Sequence, residues 1–121
     1  MRERGTPSPA RYPAAQITPV WYAFPMAAGM DLRKKCAIVT GGARGIGLAT
    51  ARRLLRRGAA VSIWDLDAAA LEGAAEELRS LGRVHTVQCD VGDPAAVGAG
   101  VRDVVAALGG IDVLVNNAGY M

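Results

Sequence analysis

The feature that most constrains the fold is a glycine-rich turn, Thr40-Gly41-Gly42-Ala43-Arg44-Gly45-Ile46-Gly47, which lies between two apolar segments. Residues 36–39 before it are short, apolar and partly β-branched, as in a buried parallel strand. Small and apolar residues then recur at the spacing of one helix face: Gly47, Ala51, Leu54, Leu55 and Gly58. This order of elements favours a pyrophosphate site, because helix N–H groups attract phosphates and glycine lets the backbone approach them.

From residue 35 onward, segments with a strand pattern alternate with segments with a helix pattern. The predicted strands cover residues 35–40, 61–64, 84–89 and 111–115, and the predicted helices cover 46–57, 68–81 and a segment that begins at Asp93-Pro94. Asp93 is the expected N-cap of the third helix, whose buried stripe is expected to contain Val97, Val101, Val104, Val105 and Leu108. The alternation predicts an α/β fold, a Rossmann-type doubly wound parallel sheet that is incomplete, with about four strands and three helices.

Residues 1–30 have a different composition from the rest of the sequence. They contain five of the six prolines and four of the six aromatic residues. Prolines at this spacing prevent a helix and interrupt strand pairing, so we expect a disordered extension ahead of a domain at residues 31–121. Pro19 and Pro25 break the apolar core that a signal peptide needs. Alternatively, the segment is not native coding sequence and Met30 is the true start.

The charge and the cysteines limit the possible partners and compartments. Of the net charge of +3, residues 1–30 carry +2, and the arginines at 52, 53, 56 and 57 are expected to form the solvated face of a helix. This distribution argues against a nucleic-acid partner. No apolar run approaches the roughly 20 residues that span a membrane. Cys36 and Cys89 fall in predicted buried strands, which suits reduced thiols in a cytoplasmic protein.

An acidic residue ends the second predicted strand. Asp65 follows Gly45 by twenty residues, where a carboxylate can accept hydrogen bonds from the adenosine ribose hydroxyls. Because that carboxylate repels a 2′-phosphate, it favours NAD over NADP. Arg44 is the opposing signal, since a guanidinium beside the turn can pair with a phosphate, but Leu66 offers no second cation. The alternative is that Asp65 only caps the following helix, for which Asp67 is the better candidate.

Polar residues also follow the third and fourth predicted strands. Asp90-Val91 can present a carboxylate and a backbone amide to an adenine edge, although Asp90 can equally be a turn-forming aspartate. The fourth strand runs into Asn116-Asn117-Ala118-Gly119, a turn rich in side-chain amides. Because ligands of such folds bind at the carboxyl ends of the strands, all four strand ends are expected to meet at one site.

Together, Thr40-Gly41-x-x-x-Gly45-Ile46-Gly47, Asp65, Asp90-Val91 and Asn116-Asn117-Ala118-Gly119 resemble the motifs of the classical short-chain dehydrogenase/reductase family, in order and in spacing, over residues 32–119. The resemblance implies a homo-oligomeric, NAD(P)(H)-dependent oxidoreductase of alcohols or carbonyls. It places Asn116 in a structural role and implies a cofactor site whose expected members are Gly41, Arg44, Gly45, Ile46, Gly47, Asp65, Leu66, Asp90, Val91, Asn117, Ala118 and Gly119.

The resemblance does not extend to the chemistry of the family. Its enzymes use a serine and a Tyr-x-x-x-Lys pair, whereas the only lysines here are Lys34 and Lys35, ahead of the first strand. Tyr120 has one residue after it and cannot belong to such a pair. We therefore expect an NAD-binding part, inactive alone, with no catalytic or metal-binding residue. Two alternatives are a non-catalytic nucleotide-binding module and an S-adenosylmethionine methyltransferase, although Thr40 and the asparagine turn disfavour the latter.

Overall fold

A four-stranded parallel sheet with the strand order β3-β2-β1-β4 forms the centre of the part of the chain, residues 31–119, that a computed structural model describes. The predicted extension at residues 1–30 and Tyr120 lie outside the described residues. The predicted α/β class and parallel sheet are confirmed. In chain order, the elements are β1 (Cys36–Thr40), α1 (Gly45–Arg56), β2 (Ala60–Asp65), α2 (Ala68–Leu78), β3 (Val84–Gln88), α3 (Pro94–Leu108) and β4 (Val113–Val115).

The strand order reverses at β1, which pairs with β2 on one side and with β4 on the other. Cys36 is level with Ala60 in β2, and Ala37 is level with Val113 in β4. The polypeptide therefore runs outward from β1 to β3 and then crosses back to the opposite side of β1. In parallel sheets, such a reversal opens a crevice at the carboxyl ends of the strands.

Helices cover both faces of the sheet because alternate residues of β1 are apolar on both sides. Ala37 and Val39 belong to a core that contains residues of α1 and α2, namely Ala51, Leu55, Leu71, Ala74 and Leu78. Cys36 and Ile38 belong to a second core with Trp64 and two residues of α3, Val104 and Leu108. The sheet is thus doubly wound, as the near-continuous apolar strands predict.

The starts of α2 and α3 and the end of α1 lie at residues whose chemistry predicts a helix boundary. Asp67 accepts a hydrogen bond from the Ala70 backbone N–H at 3.0 Å, and Asp93 accepts one from Ala95 at 3.1 Å. Both aspartates are therefore N-caps, which satisfy donors that the first helical turn leaves unpaired. At the far end of α1, Gly58 adopts a φ of 98°, a conformation that glycine enters without strain.

Three local predictions were wrong. Helix α2 ends at Leu78 rather than at residue 81, because the Leu81 N–H bonds to the Leu78 carbonyl in a tighter turn. Strand β4 begins at Val113 rather than at residue 111, because the Asp112 carboxylate takes the backbone N–H of Cys36. Val105 is 45% exposed, since the buried face of α3 follows Gly100, Val104 and Leu108.

Candidate functional site

The carboxyl ends of the four strands surround a cavity of about 310 Å³. Nine of the twelve predicted site residues line it: Gly41, Arg44, Asp65, Leu66, Asp90, Val91, Asn117, Ala118 and Gly119. Two further lining residues, Trp64 and Cys89, were not predicted. Gly45, Ile46 and Gly47 lie in the adjoining turn and the first turn of α1 instead. The structure thus brings residues from all four strand ends to one cavity.

The glycine turn is held in a shape that other residues would strain. Gly41 and Gly45 have φ angles of 64° and 58°, in the left-handed region that favours glycine. Gly47 has an ordinary helical position but no space: a Cβ there would lie 2.1 Å from the Gly41 carbonyl oxygen. The turn and the helix therefore lie so close together that only glycine, which has no Cβ, fits at position 47.

The start of α1 offers donors to an anion. Arg44 is its N-cap, and no side chain of the described residues caps this helix. A Cβ built on Gly45 meets no described atom within 4 Å, so the backbone there is open to solvent. Ile46 is 77% exposed. Because the first N–H groups of a helix carry partial positive charge, this uncapped end fits a phosphate group.

The Asp65 carboxylate lies between the glycine turn and the loop after β2. Its Oδ2 atom accepts from the Ala43 N–H at 3.4 Å and its Oδ1 atom from the Asp67 N–H at 3.3 Å. Both bonds are long, and the side chain is only partly buried. The carboxylate is thereby oriented while it keeps the capacity to accept hydrogen bonds from a ligand.

Arg44 forms an ion pair with Asp67 rather than pointing alone into the cavity. Its Nη2 atom lies 2.7 Å from Asp67 Oδ2. The Ala70 backbone N–H, followed by this guanidinium, lowers the pKa of the Asp67 carboxyl below its ordinary value of 3.8. Asp67, and not Asp65, caps α2, so the interpretation of Asp65 as a mere helix cap is wrong.

The asparagine turn is attached to the glycine turn. The Thr40 hydroxyl oxygen accepts from the backbone N–H groups of Asn117 and Ala118, both at 3.0 Å. The Asn117 side-chain amide donates to the Gly41 carbonyl at 3.2 Å. One threonine thus fixes the ends of β1 and β4 together, and Asn117 supports the turn rather than only facing the cavity.

The third strand end is a turn with apolar neighbours. Asp90 Oδ1 accepts from the Gly92 N–H at 2.8 Å, as in an aspartate turn, while Asp90 also lines the cavity. Leu66 and Val91, on either side of it, are both exposed. Burial raises the pKa of the Cys89 thiol. An exposed apolar rim of this kind, formed by Leu66 and Val91, suits a flat aromatic ring.

Sequence reasoning missed Trp64 and Cys89 because apolar residues within a strand indicate core packing. Both are nearly inaccessible, at 2% and 5% exposure, and both contribute to a core as well as to the cavity. The available signal was position: each residue directly precedes a predicted site aspartate, Trp64 at the carboxyl end of β2 and Cys89 just after β3.

Fold and cavity together define a Rossmann-type domain, and the family is established by comparison. The family model described as short chain dehydrogenase matches residues 35–121. The chain belongs to the short-chain dehydrogenase family, whose members are oxidoreductases that bind NAD(P) on a Rossmann fold.

Individual relatives and structures agree with this assignment. A 2-dehydro-3-deoxy-L-rhamnonate dehydrogenase (NAD(+)) of Sphingomonas sp. (strain SKA58) is 46% identical over 85 residues, 70% of this chain and 33% of the relative. The structure of an NAD+-bound xylitol dehydrogenase matches with a TM-score of 0.73 and 40% identity, over 75% of this chain and 35% of the other. That of L-sorbose reductase from Gluconobacter frateurii, complexed with NADPH and L-sorbose, matches with a TM-score of 0.70 and 39% identity, over 75% and 36% of the two chains.

The chain spans about a third of the length of the curated relatives that it matches. Within residues 31–119, no group of three or more histidine, cysteine or acidic side chains is arranged to hold a metal ion. No helix in the same range is both long and apolar enough to cross a bilayer. Cys36 and Cys89 are both buried free thiols.

Proposed function

We propose that this chain supplies the NAD(H)-binding part of an oxidoreductase that acts on an alcohol or carbonyl. The uncapped start of α1 would receive the pyrophosphate, Asp65 the adenosine ribose, and the rim of Leu66, Asp90 and Val91 the adenine. Asn117, Ala118 and Gly119 would lie near the nicotinamide half. The observation that carries the proposal is the convergence of all four strand ends on one cavity. When the dinucleotide is bound, its nicotinamide ring accepts or donates the hydride.

The preference for NAD over NADP rests on the charges beside the second strand end. The Asp65 carboxylate would accept hydrogen bonds from ribose hydroxyls and repel a 2′-phosphate. Arg44 is the one cation that lines the cavity among residues 31–119, and its guanidinium is paired with Asp67. A 2′-phosphate would therefore have to compete with a carboxylate for it. These two contacts support NAD.

Several wider properties are proposed with the function. We propose that residues 31–121 form the domain and that residues 1–30 are a disordered extension. We also propose that the parent enzyme is a cytoplasmic homo-oligomer, and that this chain alone has no dehydrogenase activity. Support for the last point comes from the sequence, where Lys34 and Lys35 precede β1 and no Tyr-x-x-x-Lys pair occurs.

Calorimetric titration of the purified chain with NADH and with NADPH tests the proposed function. We expect NADH to bind at least about tenfold more tightly, a difference of roughly 1.4 kcal/mol. A folded chain that binds neither dinucleotide would contradict the cofactor-binding function. Tighter binding of NADPH would contradict only the preference. Measurable NAD-dependent alcohol oxidation by the chain would contradict the proposed lack of activity.

A further inference from the structure

Four polar side chains connect the surface of α3 to the wall of the cavity. The Trp64 indole Nε1–H donates to Ser62 Oγ at 2.9 Å, and Ser62 Oγ lies 2.9 Å from His85 Nδ1. On the other side of the imidazole, His85 Nε2 lies 2.9 Å from Asp103 Oδ2 on α3. Ser62 and His85 are level in the paired strands β2 and β3. We call these four residues the Trp64 network.

The chemistry of the groups fixes the direction of each hydrogen bond. An indole N–H can only donate, so the Ser62 oxygen accepts from Trp64 and its own proton is free to go to His85. An ionised carboxylate can only accept, so His85 Nε2 must carry a proton toward Asp103. A neutral imidazole with its proton on Nε2 has an unprotonated Nδ1, which accepts from Ser62. One tautomer therefore satisfies every member of the network.

Serine, histidine and aspartate are also the residue types of a hydrolase triad, but this arrangement cannot act as one. Ser62 is 0% exposed, and its oxygen is bonded to the indole on one side and to the imidazole on the other. A nucleophile must be within reach of a substrate carbonyl. The buried position of Ser62 between β1 and β3 excludes that approach.

The indole at the end of this network packs closely against α3. A Cβ on Gly100 of α3 would lie 2.7 Å from Trp64 Cη2, so the helix packs directly on the ring. Trp64 lines the cavity and is followed directly by Asp65. A shift of the ring would therefore move the cavity wall and the backbone that carries the Asp65 carboxylate.

We propose that His85 and Asp103 are positioning residues of the dinucleotide site, which they influence through Ser62 and Trp64 without touching the ligand. The proposal rests on the proposed cofactor-binding function. In Asp103→Asn, the carboxylate, which can only accept, becomes a carboxamide, which can present either a carbonyl oxygen or an N–H to His85 Nε2. His85 is then free to change tautomer, which turns a donor toward Ser62 and displaces the proton that Ser62 shares with Nδ1. The indole then loses its fixed partner, and the wall of the cavity loosens.

Nitrogen-15 NMR of the imidazole tests the network without any ligand. His85 is the only histidine in the sequence, so the imidazole signals belong to it, and couplings to the two carbon-bound ring protons distinguish Nδ1 from Nε2. In the neutral imidazole, we expect an unprotonated Nδ1 and a protonated Nε2, the tautomer that the contacts with Ser62 and Asp103 require. A protonated Nδ1 in the wild-type chain would overturn the proposal. In Asp103→Asn, a mixture of the two tautomers is the expected result.

Acrylamide quenching of tryptophan fluorescence and NADH binding both test the state of the cavity wall. A Trp21→Phe background leaves Trp64 as the only tryptophan. In this background, Asp103→Asn and His85→Ala should make Trp64 more accessible to acrylamide and weaken NADH binding by roughly two- to tenfold, the factor for one hydrogen bond. Glu72→Gln, an exposed change on α2, should alter neither reading.

The outcomes separate the two proposals. A wild-type chain that binds no NADH contradicts the cofactor-binding function, while the tautomer and the acrylamide reading still decide the network. If NADH binds equally to wild type and to a folded Asp103→Asn chain, the positioning role is wrong. Because Asp103 is exposed, this variant tests the role even where His85→Ala fails to fold.

Discussion

Thr40 and Asn117 join the ends of β1 and of its neighbour β4 at the cavity: the Thr40 hydroxyl oxygen accepts the Asn117 backbone N–H at 3.0 Å, across a sequence separation of 77 residues. The same oxygen accepts the N–H of Ala118, and the hydroxyl itself donates to the Val115 carbonyl at 3.4 Å. A buried hydroxyl thus satisfies three backbone groups where β4 ends. The asparagine turn depends on β1 for its position, and the cavity depends on both.

Thr40→Val should destabilise the protein and open the cavity. The valine is of similar volume but leaves the N–H groups of Asn117 and Ala118 without an acceptor, at about 1–3 kcal/mol for each group that stays buried. Thr40→Ser keeps the hydroxyl oxygen and should lose much less stability. Urea unfolding of the three proteins provides the measurement. Equal stabilities of the valine and serine variants would show that the hydroxyl is unimportant.

Gly47→Ala should disrupt the glycine turn. The added methyl group would lie 2.1 Å from the Gly41 carbonyl oxygen, so the turn or the helix must move, which costs about 1–3 kcal/mol or more. Gly73→Ala is the matched control in α2, because a Cβ there meets no described atom within 4 Å. That change should stabilise the helix by roughly 0.5–1 kcal/mol. Thermal unfolding should separate the two variants in opposite directions, and NADH binding should be lost only in Gly47→Ala.

Asp65→Ala should weaken NADH and reduce discrimination against NADPH. The carboxylate supplies charged hydrogen-bond acceptors, each worth about 1.5–3 kcal/mol, so a loss of roughly tenfold or more in NADH affinity is expected. Asp31→Ala removes the same charge from an exposed pair with Arg33, away from the cavity, and should leave both affinities unchanged. Calorimetric titration measures the two ratios. An unchanged NADH/NADPH ratio in Asp65→Ala would contradict the role given to this carboxylate.

The Asp67 carboxylate should make the free energy of unfolding of the domain fall at acidic pH. Its pKa is lowered in the folded state, so its stabilising contribution is complete above the ordinary value of 3.8 and is lost as the pH falls through the lower folded value. Asp67→Asn should therefore flatten the change in unfolding free energy between pH 5 and pH 2. Arg44→Gln should raise the pKa of Asp67 only part of the way back to its ordinary value, since the hydrogen bond from the Ala70 N–H remains. A carboxyl-carbon NMR titration checks both shifts.

The sheet and most of the cavity were predictable because they follow from periodicity and chain order. Once the strands are parallel and connected by right-handed crossovers, residues that follow each strand must share one edge. The positions of Asp65, Asp90 and Asn117 at one edge of the sheet follow in this way from the sequence alone. The part each would have in holding a ligand stays a prediction.

What could not be predicted depends on three-dimensional contacts between side chains and distant backbone. Asp112 continues an apolar strand pattern in sequence, but its carboxylate takes the N–H of Cys36, so β4 starts at Val113, two residues later than predicted. Val105 follows the helical stripe, yet Gly100 brings α3 close to the Trp64 ring and turns that valine outward. The Trp64 network was equally hidden, because His85 and Asp103 lie on separate elements with no shared motif.

Because Thr40 and Asn117 lie 77 residues apart in the sequence, the bond between them forms late during synthesis. Asp65 and Asp90 leave the ribosome long before Asn117, so the nascent chain holds three strand ends without the fourth. Closing a loop of 77 residues is entropically slow compared with forming the local βα units. A ligand that needs all four strand ends binds only after this closure, and by mass action it then retards reopening of the β1–β4 pair.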